Sequence, residues 1–265
     1  FGLGPVPPLG IRGAATATLI GRSITFAVAI YVLGIRERLM LWRKAAFRAI
    51  FRSWREILYV GIPNAASRMI IPLGAGVITR ILSQFGPETV AGYGVATRVE
   101  FFALAIVNAL SSVVSPFVGQ NLGAGKLDRI RRGYTSAQWF SVVVGVFFFL
   151  LLFTLAGPVA RIFSPAPAVR EVTMRYLRIV PIAYAFQGLY QITVPALNVF
   201  RRPLIAAGLG AIEMFALIVP LALLGSWLLG QSGVFAAVAI SYLVTGLLAR
   251  SAFLHTLRSQ AHGRT

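Results

Sequence analysis

Seven long, mostly apolar runs constrain the fold of this chain more than any other feature. A run of about 18 or more apolar residues forms a helix long enough to cross the hydrocarbon core of a bilayer, which is about 30 Å thick. Hydrophobic residues make up 57% of the chain and charged residues only 12%, whereas about a quarter of a typical soluble domain is charged. We therefore predict an all-α integral membrane protein with seven transmembrane helices. The predicted helices lie at about 11–34, 57–84, 90–116, 135–157, 171–198, 204–229 and 233–254.

Basic residues are concentrated in every second loop between these runs. The net charge is +18, and the loops at 83–89 and 228–234 carry no Lys or Arg. The basic segments lie at 36–55, 120–134 and 198–203 and at the C-terminal end. This alternation is the positive-inside pattern, so we predict a multi-pass protein of the cell inner membrane with a cytoplasmic C-terminus. The lipid bilayer thus accounts for the basic charge, and we predict no nucleic-acid partner.

Residue types that carry catalysis or bind metals are scarce in this sequence. The chain has no Cys, and its two His residues, His255 and His262, lie in the C-terminal tail. The stretch SPFVGQNLGAGKLDRIRRG at 115–133 is not a phosphate-binding P-loop, because Gln120 replaces the first Gly and Leu127 replaces the Ser or Thr. We therefore predict that the protein is not an enzyme and has no catalytic site, metal or cofactor. The chain begins with Phe, and we expect it to be a piece of a longer protein.

The basic stretch at 36–56 differs from the other loops because it also has an apolar face. Its basic and apolar residues recur at helical spacing: Lys44, Arg48, Arg52 and Arg55, and Phe47, Ile50, Phe51 and Trp54. We predict an amphipathic cytoplasmic helix that lies on the membrane surface and separates one transmembrane helix before it from six after it. The alternative is a basic loop whose role is limited to setting the topology.

Charged and amide side chains also occur inside the apolar runs, where they face the protein interior or a water-filled cavity because exposure to hydrocarbon is costly. Arg68, Glu100, Gln187 and Glu213 fall near the middle of four different predicted helices. We therefore predict an internal cavity lined by substrate-binding or ion-binding residues. The candidates are Asn64, Arg68, Glu100, Asn108, Tyr184, Gln187, Gln191 and Glu213. The alternative is structural: a carboxylate pairs with Arg68, and the amides hold helices together.

Three stretches of the sequence resemble the multidrug and toxic compound extrusion (MATE) family. They are GIPNAASRMIIPLGAGVI at 61–78, AGYGVATRVEFFALAIVNALSSVVSPFVGQNLGAGKLDRIRRG at 91–133, and VPALNVFRRPLIAAGLGAIEMFALIVPLALLG at 194–225. In addition, the N-terminal stretch LGIRGAATATLIGRSITFAVAIYVL at 9–33 looks like the sixth helix of that family. The resemblance implies two six-helix lobes around a central cavity. Residues 1–35 would hold the last helix of the N-terminal lobe, 36–56 the cytoplasmic inter-lobe linker, and 57–265 the C-terminal six-helix lobe with its tail. The rest of the N-terminal lobe would then be the missing partner of this chain.

The same resemblance implies a structural role for the glycine-rich stretch at 115–133. Gly119, Gly123 and Gly125 would end a helix and allow a tight turn, and Asp128 would start the next segment. The basic residues that follow would hold that segment at the inner leaflet of the membrane.

The resemblance also implies secondary active transport, the export of cationic or amphipathic drugs and toxic compounds by cation-coupled antiport. Sodium-coupled members that resemble this lobe have acidic residues near Ile71 and near Gln187, and neither position is acidic here. We therefore expect H⁺ rather than Na⁺ as the coupling ion, with Glu100 and Glu213 as local proton sites and an organic cation or amphiphile as cargo. Two alternatives stay open: a lipid-linked oligosaccharide flippase of the same superfamily, and a structural membrane protein without transport.

Overall fold

The computed structural model describes residues 10–37 and 47–262, and these residues contain helices and turns but no strand. Side chains at 63–68 and at a few neighbouring positions lie outside the described part. The chain divides into two compact units, Phe1–Val60 and Gly61–Thr265. The first contains one apolar helix, and the second contains the polar cluster described below. Both units agree with the predicted all-α class.

Eight α-helices, interrupted in places by tighter or wider turns, form the described chain. They are α1 Gly10–Tyr31, followed by a π-helical turn Val32–Arg36; α2 Phe47–Ser83; α3 Pro87–Gly123; α4 Leu127–Phe163; α5 Pro167–Ile179; a 3₁₀ turn Val180–Ala183; α6 Tyr184–Val199; α7 Pro203–Ala211; a π-helical segment Ile212–Ile218; and α8 Val219–His262.

These helices make seven membrane-spanning helices, as the sequence predicts. Within the described residues, four stretches are long and apolar enough to cross a membrane on length and composition: Ala15–Arg36, Pro87–Gly123, Leu127–Phe163 and Pro203–Gln260. The last of them has 58 residues, about 87 Å of helix, too long for one crossing of a core about 30 Å thick. Gly230 divides it into two helices, because its φ of 61° and ψ of −139° are not helical. α2 and the α5–α6 pair provide the other two crossings.

The second unit is built around α6, which packs against α3, α4 and α8. Three glycines allow this close packing, since a side chain at any of them would overlap a neighbouring helix. Gly145 of α4 faces the backbone of Ala185, and Gly246 of α8 faces the carbonyl of Phe186. Gly188 of α6 faces Ser141. Small residues that let backbones approach are the usual basis of helix packing in membranes.

Large apolar side chains cover the outside of the second unit. Phe101 and Phe102 on α3, Trp139 on α4 and Trp227 on α8 each expose 66% or more of their surface. In water such a surface would aggregate, whereas in a bilayer it faces lipid tails of the same polarity. The exposed apolar surface is therefore the lipid-facing side of an integral membrane protein.

The helices run further at their ends than the sequence predicts. The segment 120–134, predicted as a loop, is mostly helical: α3 continues to Gly123 and α4 begins at Leu127. Gly119 and Gly123 stay within the helix, and Gly125 alone takes a left-handed φ of 71°. The basic residues extend α4 because Lys and Arg are good helix formers. Asp128 does lie in the first turn of α4, as expected.

The predicted amphipathic helix at 36–56 is described in part. Residues 38–46 lie outside the described residues, and from Phe47 onward the chain is helical without a break to Ser83. The predicted start of the second transmembrane helix at 57 is therefore wrong as a helix boundary. Phe47, Phe51 and Trp54 are exposed, and the membrane-surface position of this segment stays a prediction.

Candidate functional site

Glu100, in the middle of α3, is a carboxylate enclosed by other helices. It is 9% exposed. The Tyr242 hydroxyl of α8 donates a hydrogen bond to its Oε1 over 2.8 Å, and the Tyr176 hydroxyl of α5 donates one to its Oε2. The Tyr184 hydroxyl of α6 is also buried beside it but makes no hydrogen bond of normal geometry. Four helices therefore meet at this carboxylate, and phenol hydroxyls supply its donors.

Aromatic rings close the space around Glu100. The Tyr176 ring packs edge-on against Tyr93, with 5.8 Å between the ring centroids, and against Phe235 at 5.1 Å. Both distances lie in the range typical of favourable aromatic pairs. Because Tyr176 is itself fully buried, these contacts fix the position of the hydroxyl that it presents to Glu100.

Glu213 is the second buried carboxylate of this region. It lies in the π-helical segment between α7 and α8 and is 7% exposed. The Gln187 side chain of α6 and the Glu100 carboxylate of α3 both lie close enough to act on it electrostatically. The Tyr242 hydroxyl, which donates a hydrogen bond to Glu100, also lies close enough to Glu213 for an electrostatic interaction. We call Glu100 and Glu213 the carboxylate pair.

Irregular helix turns adjoin the carboxylate pair. The 3₁₀ turn Val180–Ala183 ends directly before Tyr184, and it contains Pro181, which lacks a backbone N–H. The π-helical segment Ile212–Ile218 contains Glu213 and precedes Pro220. A proline ring crowds the carbonyl four residues before it, and wider turns of this kind are common at functional sites. Two of the departures from regular helix in the described chain therefore lie beside the polar cluster.

Several polar atoms near this region are buried without a described partner. They include Gln187 Oε1 and Gln191 Oε1 on α6 and Thr245 Oγ1 on α8. Thr245 lies three residues after Tyr242 and so shares its helix face. Buried oxygen atoms are expected to find a donor or a cation. The region therefore has acceptor capacity that the described side chains do not fill.

The structure brings together half of the predicted site residues. Glu100, Tyr184, Gln187 and Glu213 lie in one cluster, and Gln191 lies one turn further along α6. Asn108 is exposed, because eight residues of helix rotate it about 80° away from Glu100. The side chains of Asn64 and Arg68 lie outside the described residues.

Sequence reasoning missed Tyr176 and Tyr242, the two hydrogen-bond donors to Glu100. One signal was available, because a tyrosine in an apolar helix seeks an acceptor for its hydroxyl. The tyrosines at 93, 134, 176, 190 and 242 all carry that signal, so it cannot single out these two. Among the described residues, no group of three or more His, Cys, Asp or Glu side chains could hold a metal ion.

Comparisons with known proteins agree on one family. The sequence model of the MatE family matches residues 63–224. A protein named FAD transporter from Shewanella oneidensis is 34% identical over 249 residues, which are 93% of this chain and 55% of that protein. The "Probable multidrug resistance protein NorM" of Thermotoga maritima is 30% identical over 190 residues, 70% of this chain and 40% of that protein. The chain thus spans about half the length of the curated relatives it matches.

Solved structures give the same result for the fold. The crystal structure of the Vibrio cholerae MATE transporter VcmN in the bent form superposes with a TM-score of 0.79 at 28% sequence identity. The match covers 95% of this chain and 57% of VcmN. The described helices thus have the arrangement of a little over half of such a transporter.

Proposed function

The chain belongs to the MatE family of multidrug and toxic compound extrusion (MATE) transporters, and from this we propose that it forms the C-terminal lobe of a secondary active transporter. In this proposal residues 57–265 are the six-helix lobe, 36–56 the inter-lobe linker, and 1–35 the last helix of the N-terminal lobe. The remaining N-terminal helices supply the other wall of a central cavity. The protein lies in the cell inner membrane with its C-terminus in the cytoplasm, as the basic loops indicate.

The observation that carries the proposal is the carboxylate pair. Glu100 and Glu213 are both buried, they repel each other, and neither forms an ion pair with a basic residue whose side chain is described. Holding two neighbouring charges inside a membrane protein is costly unless a cation joins them. The pair therefore favours the uptake of a proton, a small cation or a positively charged group of the cargo.

Competition for this pair gives a mechanism for antiport. A proton that enters from outside removes one of the two negative charges of the pair and so releases a cationic cargo, and the cargo that binds from inside displaces the proton. One site that cannot hold both ligands together couples their movements in opposite directions. We propose H⁺ rather than Na⁺ as the coupling ion, because Tyr176 and Tyr242 each donate a hydrogen bond to one oxygen of Glu100, and a metal ion bound to that carboxylate would have to compete with both donors.

A second candidate cargo is an anionic dinucleotide such as FAD. The observation in its favour is the 34% identity to the protein named FAD transporter, which extends over 93% of this chain. The carboxylate pair would repel the pyrophosphate of such a cargo, so the cargo would bind near basic groups elsewhere in the cavity. Under this candidate the pair would bind the coupling ion alone and never contact the cargo.

Transport by everted membrane vesicles that carry the complete protein tests the proposal. A fluorescent organic cation and FAD are offered separately under an imposed proton gradient and then a sodium gradient. We expect proton-driven uptake of the organic cation, and we expect Glu213→Gln to reduce that uptake at least tenfold at unchanged expression. The substitution keeps the hydrogen bond to Gln187 possible and removes the titratable charge.

Arg170→Gln is the matched control, because it removes a charge far from the carboxylate pair along the sequence. Uptake that is unchanged in both Glu213→Gln and Glu100→Gln would contradict a role for the pair in coupling. Uptake of FAD without uptake of the cation would select the second cargo. Absence of any driven uptake by the wild-type protein would contradict the export function and favour the flippase or the structural alternative.

A further inference from the structure

A basic cleft opens where α3 turns into α4. It has a volume of about 900 Å³ and is lined by Phe117 of α3, the turn residues Gly125 and Lys126, and Asp128, Arg129, Arg132 and Ser136 of α4, among others. A neighbouring cleft of about 600 Å³ shares Asp128, Arg132 and Ser136 with it and adds Arg131. The carboxylate pair and its tyrosines line neither cleft, so the basic cleft is separate from the candidate site described above.

The charges of the basic cleft lack partners within the described protein. Lys126, Arg129 and Arg132 give it three positive charges and Asp128 one negative charge, which leaves a net charge of +2. None of the three cations forms an ion pair with a described acidic residue. A concave surface with an excess of unpaired guanidinium and ammonium groups is suited to a phosphate, which Arg binds through paired hydrogen bonds.

The position of the cleft along α4 points to a phosphate of the membrane. Trp139 and Phe140 are exposed, with 67% and 46% of their surfaces accessible, and Trp is enriched at the boundary between acyl chains and headgroups. Arg132 precedes Trp139 by seven residues, which is about 10 Å of helix. The headgroup layer on each side of a bilayer is about 5–8 Å thick. Arg132 therefore lies at the outer edge of the headgroup layer, and from there the long side chains of the cleft can extend back toward the lipid phosphates.

We infer that the basic cleft between α3 and α4 binds the headgroup of one anionic glycerophospholipid. The phosphate contacts Lys126, Arg129 and Arg132, and the acyl chains run along the apolar surface of α4 past Phe140. The inference does not depend on the proposed transport function, because it rests on the charge, the shape and the depth of this cleft alone. A free phosphate ion shares the headgroup chemistry but has no acyl chain to lie against the apolar surface.

Native mass spectrometry of the complete protein in a neutral detergent tests the inference. Phosphatidylglycerol or phosphatidylcholine with the same acyl chains is titrated in, and the bound lipids are counted. We expect one phosphatidylglycerol to be retained in preference to phosphatidylcholine. The double variant Arg129→Gln/Arg132→Gln should weaken that binding about fivefold for each charge removed, the usual contribution of a basic residue near an anionic membrane surface.

Arg161→Gln/Arg170→Gln is the matched control, because it removes two charges at the other end of α4 and in α5 and should leave the binding unchanged. Size-exclusion chromatography and thermal unfolding show whether each variant remains folded. Equal retention of the two lipids, or an equal loss of binding in both double variants, would overturn the inference. Complete displacement of phosphatidylglycerol by inorganic phosphate would identify a phosphate-ion site instead, and that result would also overturn it.

Discussion

At Glu100 phenol groups surround a buried carboxylate. Hydrogen bonds to a charged group contribute about 1.5–3 kcal/mol each, and Glu100 accepts one at each oxygen, from Tyr176 and Tyr242. This arrangement stabilises a negative charge without fixing a positive one beside it. The carboxylate can therefore lose its charge to a proton without leaving an unpaired lysine or arginine in the membrane.

A double-mutant cycle measures the bond between Tyr176 and Glu100. Tyr176→Phe should destabilise the protein by about 1.5–3 kcal/mol, because it removes one donor to a buried charge and leaves the ring contacts intact. In a Glu100→Gln background the same change should cost less, because the acceptor is no longer charged. Thermal unfolding in detergent measures both costs. Tyr31→Phe, at an exposed position of α1, is the control and should have no effect. An equal loss of stability from Tyr176→Phe in the wild-type and Glu100→Gln backgrounds would contradict a hydrogen bond to a charged carboxylate.

Sequence reasoning identified the two carboxylates but not the residues that hold them. Glu100 and Glu213 stand out because a carboxylate in an apolar run is costly and therefore has a role. Tyr176 and Tyr242 do not stand out, because a tyrosine ring is compatible with an apolar helix whether or not its hydroxyl is used. Asn108 shows the opposite error, because it was predicted as a site residue and lies outside the cluster. The helix rotates its side chain away from the face that carries Glu100. Helical periodicity alone does not tell whether a residue at the edge of a polar face belongs to the site.

At the scale of the helices, the sequence predicts the number of crossings better than where each helix bends or ends. The charge-free loop at 228–234 predicts a turn, and Gly230 provides it. Two of the prolines also mark breaks, since Pro181 lies in the 3₁₀ turn and Pro220 follows the π-helical segment. Three others, Pro116, Pro158 and Pro195, lie inside continuous helices. The long extensions of α3 and α4 were missed, because the polar residues at 120–134 resemble a loop in composition although they continue the helices into the headgroup layer.

Close packing between α4 and α6 should require a residue without a side chain at position 145, which is Gly145. An added Cβ there would overlap the backbone of Ala185, so Gly145→Ala should destabilise the protein by about 1–3 kcal/mol, the usual cost of overpacking. Gly94→Ala is the matched control, since nothing lies within 4 Å of its added Cβ, and it should be neutral or stabilising by up to about 1 kcal/mol. Thermal unfolding of the two variants should therefore shift in opposite directions, and a shift in the same direction would argue against close packing at Gly145.

At the scale of the whole molecule, the apolar exterior and the alternating loops together predict an orientation in the bilayer. The turn at Ala124–Lys126 and the turn at Arg201–Arg202 contain or adjoin several basic residues, whereas the loop at 83–89 carries none and Arg80 precedes it alone in the last turn of α2. Seven crossings reverse the direction of the chain each time, so these turns must alternate between the two faces of the membrane. The composition predicts that alternation, and the positive-inside rule assigns the basic turns to the cytoplasm.

Labelling of single cysteines introduced at these turns tests the orientation. The chain has no Cys of its own, so each introduced cysteine is the sole labelling site within it. In the complete protein, with any cysteine outside this chain replaced, Ala124→Cys and Arg202→Cys should react with a membrane-impermeant maleimide only after the cells are opened. Gln84→Cys and Ala166→Cys should react in cells whose outer membrane has been permeabilised while the inner membrane stays intact. The reason is that transfer of several Lys and Arg side chains across the membrane during insertion is unfavourable. Labelling of all four positions from one side would contradict the seven crossings, and exchanged labelling would reverse the orientation and place the basic cleft at the outer leaflet.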